Sequence, residues 1–299
     1  MPKTHVARVI PPKASSREYI LDQVASVNRL TETGLSGNLL AERPNEILST
    51  TASEQFRAAG YLSLLDPEGR TPEFQRAVIL ALQAQTGLTR IADIPAEATV
   101  GLRLGAGAVD RWVPGLGGDA PSNTIDSYLD GLWATIVARN WQIMEEVAWF
   151  PIELTRQPGT RFNKYMYMWA ECWQSIFREE AIEVSRIAQT LEATLPRNLE
   201  FPDEDYSVLV AYPAINLLLH VITNNSNEFN TALEQALRDH SAYYSHPDRV
   251  HTAAALISWP ILATVCHAMD NDIPIEVDSE YIPQAMINQN WAYAYEPIY

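Results

Sequence analysis

Two stretches of this chain, residues 206–227 and 250–269, contain no Asp, Glu, Lys or Arg. Segments of that length and composition have two stable solutions: a helix crossing a bilayer, or a helix enclosed by other protein. The first stretch holds Pro213, Asn216, His220 and a polar tail at 223–227. The second holds His251, Thr252, Ser258, Pro260, Thr264 and His267. Polar groups on every side, and no Lys or Arg flank to set an orientation, argue against lipid. Both stretches are therefore expected as helices at the centre of a mainly α protein, and no membrane partner is expected.

The rest of the chain supplies helices to enclose them. Ser15 and Ser16 stand where a helix cap is needed, ahead of apolar residues at Ile20, Val24, Val27 and Leu30, and steps of three and four mark an amphipathic helix. A second helix is expected to begin near Thr50 to Ser53 and to stop at the turn 66–69. A third opens with Thr71 as cap, Pro72 in the first turn and Glu73 behind it. Between 99 and 113 the pattern changes to alternation, with Val100, Leu102 and Leu104 against Gly101 and Arg103, and Gly105 and Gly107 suit a turn. A small β-hairpin is expected there. Its glycines match neither a phosphate loop nor a dinucleotide fingerprint, so no cofactor is expected.

After Pro121 helices resume. One helix-rich region carries Trp133 and Trp141 and ends at Pro151. The next, 163–177, places Trp169, Trp173 and Phe177 four apart as a core stripe, and a further helix runs over 180–195. A short strand is expected near 274–278 and a last helix from Ser279. No motif recurs at fixed period, so the architecture is expected to be an irregular stack of antiparallel helical hairpins. Residues 1–95 would form an N-terminal helical region packing on 96–299.

The 299 residues carry 21 Lys and Arg against 37 Asp and Glu, a formal net charge of −16. Such a field repels phosphate backbones and anionic lipid, which excludes nucleic acid as a direct partner in the absence of a local basic patch. Chemistry-bearing constellations are missing as well. His240, His246 and His251 do not follow zinc-site spacing, no Glu stands three residues before a His, and there is no nucleophile elbow. Cys172 and Cys266 sit in apolar helical contexts, where a free thiol behaves as a small hydrophobe. The first residues lack the apolar core of a secretory signal, so a cytoplasmic location is expected.

The C-terminal segments 239–249, 255–270 and 273–283 are the most informative. An apolar helix closing on Asp270 leads into a turn, then Pro274, Ile275, Glu276 and Val277, then Ser279, Tyr281 and Pro283. This resembles the immunity protein 49 family of bacterial antitoxins, over about residues 95–291. Where that family has glycine after the apolar helix, this chain has Asp272, and Asn271 or Asp272 would have to supply the left-handed turn.

The resemblance implies a non-enzymatic protein that binds and neutralises a cognate toxin, commonly a basic nuclease. Turns and caps account for Pro274, Ile275, Val277, Ser279, Tyr281 and Pro283 without any ligand. The acidic residues are the candidate toxin contacts: Asp203, Glu204, Asp205, Asp270, Asp272, Glu276, Asp278 and Glu280. Charge favours that assignment, because residues 198–299 carry 14 acidic and two basic side chains, a net of −12. A helical scaffold without a toxin partner, or less readily an all-helical enzyme, are the alternatives.

Overall fold

The computed structural model describes residues 3–105, 110–157, 159–180, 184–288 and 291. The chain is mainly α, as expected. Its helices are α1 (Arg17–Leu35), α2 (Leu39–Glu42), α3 (Pro44–Leu65), α4 (Pro72–Asp93), α5 (Ile125–Ala138), α6 (Trp141–Trp149) and α7 (Lys164–Phe177). Then follow α8 (Val184–Ala193), α9 (Glu204–Ile222), α10 (Ser226–Tyr244), α11 (Trp259–Asp270) and α12 (Gln284–Ile287). The strands are β1 (Thr4–His5), β2 (Thr99–Leu102), β3 (Arg111–Pro114) and β4 (Val277–Asp278).

Ser16 caps α1, its hydroxyl accepting from the Tyr19 amide at 3.4 Å, and α4 starts with Pro72 in its first turn, as read from the sequence. The start of α3 differs. It lies at Pro44, in the first turn and ahead of Thr50, because a proline with its φ preset and no amide to satisfy opens a helix as well as a hydroxyl cap does. The hairpin is present, with β2 and β3 antiparallel and Val100 opposite Val113. Its Gly105 has φ +90°, while the Gly107 position lies outside the described residues.

The centre of the stack is α5. Ile125, Tyr128, Leu129, Leu132, Trp133, Ile136 and Val137 are all buried, a helix apolar on nearly every side, with α4, α6, α7 and α11 packed around it. Gly131 lets α4 come close, since a Cβ there would stand 2.5 Å from Gln85 Cγ. Trp169 and Trp173 are fully buried, with Trp133 and Trp169 ring centroids 5.1 Å apart, so the aromatic stripe of α7 is core. Both cysteines are free and buried.

The two uncharged stretches take different forms. The first becomes α9, long and apolar enough by length and composition to cross a bilayer. Here half of its apolar window is buried, among α8, α10 and α11. Residues Ser207–Ala211 widen into a π-helical turn. Pro213 accounts for it: the ring clashes with the carbonyl four residues back and offers no amide, so the turn before it loosens. The second stretch begins with turns and a short 3-10 helix, Ala253–Ala255, and becomes α-helical only at Trp259.

One buried ionic contact closes the C-terminal part onto α5. Arg139 follows α5 in the left-handed conformation, φ 49°. Its side chain, 3% exposed, donates to both carboxylate oxygens of Asp270, at 3.1 and 3.4 Å. It also donates to the carbonyls of Met286 at 2.6 Å, Ile287 at 2.8 Å and Cys266 at 3.3 Å. Removing one partner of such a pair strands the other charge in a dry interior. Arg139→Met is therefore expected to lower the unfolding free energy by about 3–5 kcal/mol in urea titration; a loss below about 1 kcal/mol would show that the network is not what fastens α11 and α12 to α5.

Candidate partner-binding surface

The C-terminal motif is built around a turn, a short strand and an inward tyrosine. Asp272 takes the left-handed conformation, φ 60°, which is the turn residue the sequence called for in place of glycine. Asn230 of α10 then holds the next segment, donating to the Pro274 carbonyl and accepting from the Glu276 amide, both at 2.8 Å. Pro274 is exposed and Ile275 half-buried, while Val277 points into the core and its strand β4 pairs in parallel with β1, Thr4 opposite Val277.

Ser279 does not start the last helix. Its hydroxyl accepts from the Tyr281 amide at 3.2 Å to make a turn, and α12 begins only at Gln284. Pro283 is the reason, because the residue before a proline is driven out of helical conformation. Tyr281 is fully buried and its hydroxyl accepts from the Val9 amide at 3.0 Å. Arg8 docks beside it, donating to Ser63 Oγ at 2.7 Å and to the carbonyls of Leu256 at 3.1 Å and Glu280 at 3.3 Å.

The acidic residues singled out from the sequence fall into three situations. Asp270 is committed to Arg139. Asp203, Asp205, Asp278 and Glu280 also have partners: the hydroxyl of buried Tyr165 donates to Asp203 at 3.2 Å, and at the surface Arg249 pairs with Asp205 at 3.0 Å. His5 lies 3.3 Å from Asp278 and 3.6 Å from Glu280. Glu204, Asp272 and Glu276 are exposed, and no described residue pairs with their carboxylates.

An aromatic run ties the 203–205 group to the 270–280 group. Ring centroids step from Tyr281 to His240 at 4.7 Å, His240 to Tyr244 at 4.6 Å, Tyr244 to Tyr243 at 4.8 Å and Tyr243 to Tyr206 at 5.7 Å. Arg249 lies over Tyr243, 4.1 Å from its centroid, while bridging to Asp205. Burial pushes the Tyr206 hydroxyl well above its ordinary range, and the neighbouring Asp130 and Asp203 add to the shift. Burial, with Asp126 one turn earlier, pushes the Asp130 carboxyl itself up to about 7.

A groove of about 500 Å³ lies between α9 and α10, lined by Tyr212, Asn216, His220, Glu228, Gln235 and Asp239 among others. Its carboxylates were not among the residues singled out from the sequence. The signal was there: Glu228, Gln235 and Asp239 are spaced seven and then four apart, so they share one face of α10. The surface as a whole offers carboxylates and tyrosines to a cation. Neither thiol is activated as a nucleophile, since burial raises both, that of Cys266 to about 11. Among the described residues no group of three or more His, Cys, Asp or Glu could hold a metal ion.

The model of the family described as immunity protein 49 matches residues 67–286. More than half of the chain is covered, so the chain belongs to the immunity protein 49 family. No curated protein and no solved structure matches it. The match reaches back through α4, well before the segments that carry the resemblance in the sequence.

His240 gives this surface a pH signature. It is 1% exposed, and among the described residues neither ring nitrogen has a partner within hydrogen-bond geometry, although the Ala254 backbone lies near. Burial pushes the ring down to about 3, so between the ordinary histidine value and that point the unfolded chain binds the proton and the folded chain does not. Stability from this group is present near neutrality and is lost as pH falls. Asp130, whose folded value is raised, works in the opposite sense below pH 7. The comparison that isolates His240 is wild type against His240→Leu in urea titrations from pH 7 to 4. The variant should gain on wild type by up to about 1.4 kcal/mol per pH unit below about 6.5; a pH-independent difference would contradict the buried, neutral ring.

Proposed function

We propose that this chain is a cytoplasmic bacterial immunity protein that neutralises a cognate toxin of a polymorphic toxin system by direct binding, without catalysis. The toxin is a basic, nuclease-type domain, and the acidic C-terminal third draws it in. Family membership supports an immunity role. The observation that carries the finer reading is the concentration of net charge −12 in residues 198–299, displayed on unpaired Glu204, Asp272 and Glu276 and along the α9–α10 groove. A nuclease concentrates positive charge where it holds a phosphate backbone, and an acidic surface imitates that backbone. Complementary fields of this kind act mainly on the rate of encounter.

The test is stopped-flow association with the toxin domain encoded beside this chain. Reversing Glu204, Asp239 and Glu276 to Lys together should slow association by about tenfold or more at low salt and flatten its dependence on ionic strength. Unchanged association kinetics and salt dependence would contradict the reading.

A further inference from the structure

Three of the eight tryptophans are more than half exposed, against the residue's usual burial: Trp112 at 65%, Trp141 at 59% and Trp149 at 65%. Two of them share a helix. On α6, Ile143, Met144, Val147 and Ala148 face the core, and Trp141, Glu145 and Trp149 follow one another at four-residue steps on the outer face. Trp149 is held in place rather than loose, with the Arg178 guanidinium 4.8 Å from its ring centroid. Arg178 is itself fixed by donating to the Ala148 carbonyl at 2.7 Å and to Gln174 Oε1 at 3.0 Å.

Beside Trp149 lies a groove of about 390 Å³ between α4, β2 and α6, walled by Ile94, Val100, Val147 and Phe150 and floored toward α4 by Thr86 and Thr89. Its one cation, Arg90, is neutralised by a two-point ion pair with Glu146, at 2.7 and 2.8 Å. Arg178 behind the ring has Glu180 at 3.7 Å. The carboxylates around the groove are free of such pairing: Asp93 on its lining, Glu97 in the loop from α4 to β2 and Glu145 on α6 are exposed, and no described residue pairs with them. The site is thus an apolar slot beside a rigid exposed indole, with an unbalanced negative rim.

We infer that the α4–β2–α6 groove and Trp149 anchor the toxin, taking a large apolar side chain of a segment flanked by Lys or Arg. The inference rests on the toxin-binding reading and adds to it a second surface with a different task. The indole and slot have the makings of a binding hot spot, an aromatic group next to a pocket that water leaves on docking. The rim selects a basic flank by charge complementarity. Steering by the C-terminal third then governs how fast the toxin arrives, and the groove governs how long it stays.

The experiment measures dissociation of the complex between the full chain and the toxin domain encoded beside it. Trp149→Ala should speed dissociation by about tenfold or more, with association little changed, and Trp141→Ala should act in the same direction more weakly. Leu30→Ala, which removes an exposed leucine of α1, should leave dissociation at the wild-type rate. Since Trp149 is exposed, its loss should not unfold the chain; matching urea midpoints check this. Hydrogen exchange supplies a second readout, in which amides of 90–100 and 141–150 should slow in the complex. Trp149→Ala dissociating within about twofold of wild type, without protection of those amides, would overturn the inference even if the Lys reversals slow association as expected. A wild-type chain that does not bind the toxin would overturn the toxin reading and this inference with it. A toxin-free homodimer that Trp149→Ala dissolves would assign the face to a second copy of the chain and overturn it as well.

Discussion

The Arg139–Asp270 pair holds the C-terminal motif on the molecule. Burying a guanidinium is tolerable only if its donors are met, and here a carboxylate and four backbone carbonyls meet them. Those acceptors come from three places: the end of α5, the last turns of α11, and α12. A single side chain in left-handed backbone therefore fixes where the central helix stops and where the segment after α11 must run. From that fixed point Asp272 turns the chain, Asn230 holds residues 274–276, and Val277 reaches β1. The exposed carboxylates of the segment stand where they do because that path is set.

The N-terminal residues complete the same construction. β1 supplies a strand for β4, Arg8 fills the space between Ser63, Leu256 and Glu280, and the Val9 amide satisfies the buried hydroxyl of Tyr281. One cluster of buried apolar residues extends from Val6 to Trp291. The acidic segment is thus laid on a continuous buried base.

Local signals in the sequence carried local structure well. Ser16 and Pro72 marked helix starts, alternation marked β2 and β3, and four-residue steps marked Trp169 and Trp173 as core. Long-range pairings left no such trace. Arg139 and Asp270 are 131 positions apart, and a lone arginine after an apolar helix reads as a surface cap until its partner is known. A two-residue strand such as β1 has no periodicity to detect, and α3 began at Pro44 because proline competes with hydroxyl caps for that role. Net charge singled out the C-terminal third of the chain but could not sort its carboxylates by pairing. That is why Asp270, held inside, was grouped with Glu276, which faces water. The α9–α10 groove escaped because it needs two helices side by side, and the slot beside Trp149 escaped because it needs α4 and β2 brought against α6.

Under the proposed function, charge and apolar surface divide the work: a long-range field would bring a basic partner near, and a dry aromatic contact would keep it. Both presuppose that neutralisation is a binding event. The most direct measurement is co-expression in bacteria of the proposed cognate toxin domain with this chain, scoring growth together with recovery of the pair as one complex. If neutralisation is a binding event, cells survive only when the chain is present, and toxin and chain purify together in a fixed ratio. Survival without a complex, or a complex that fails to protect, would contradict it.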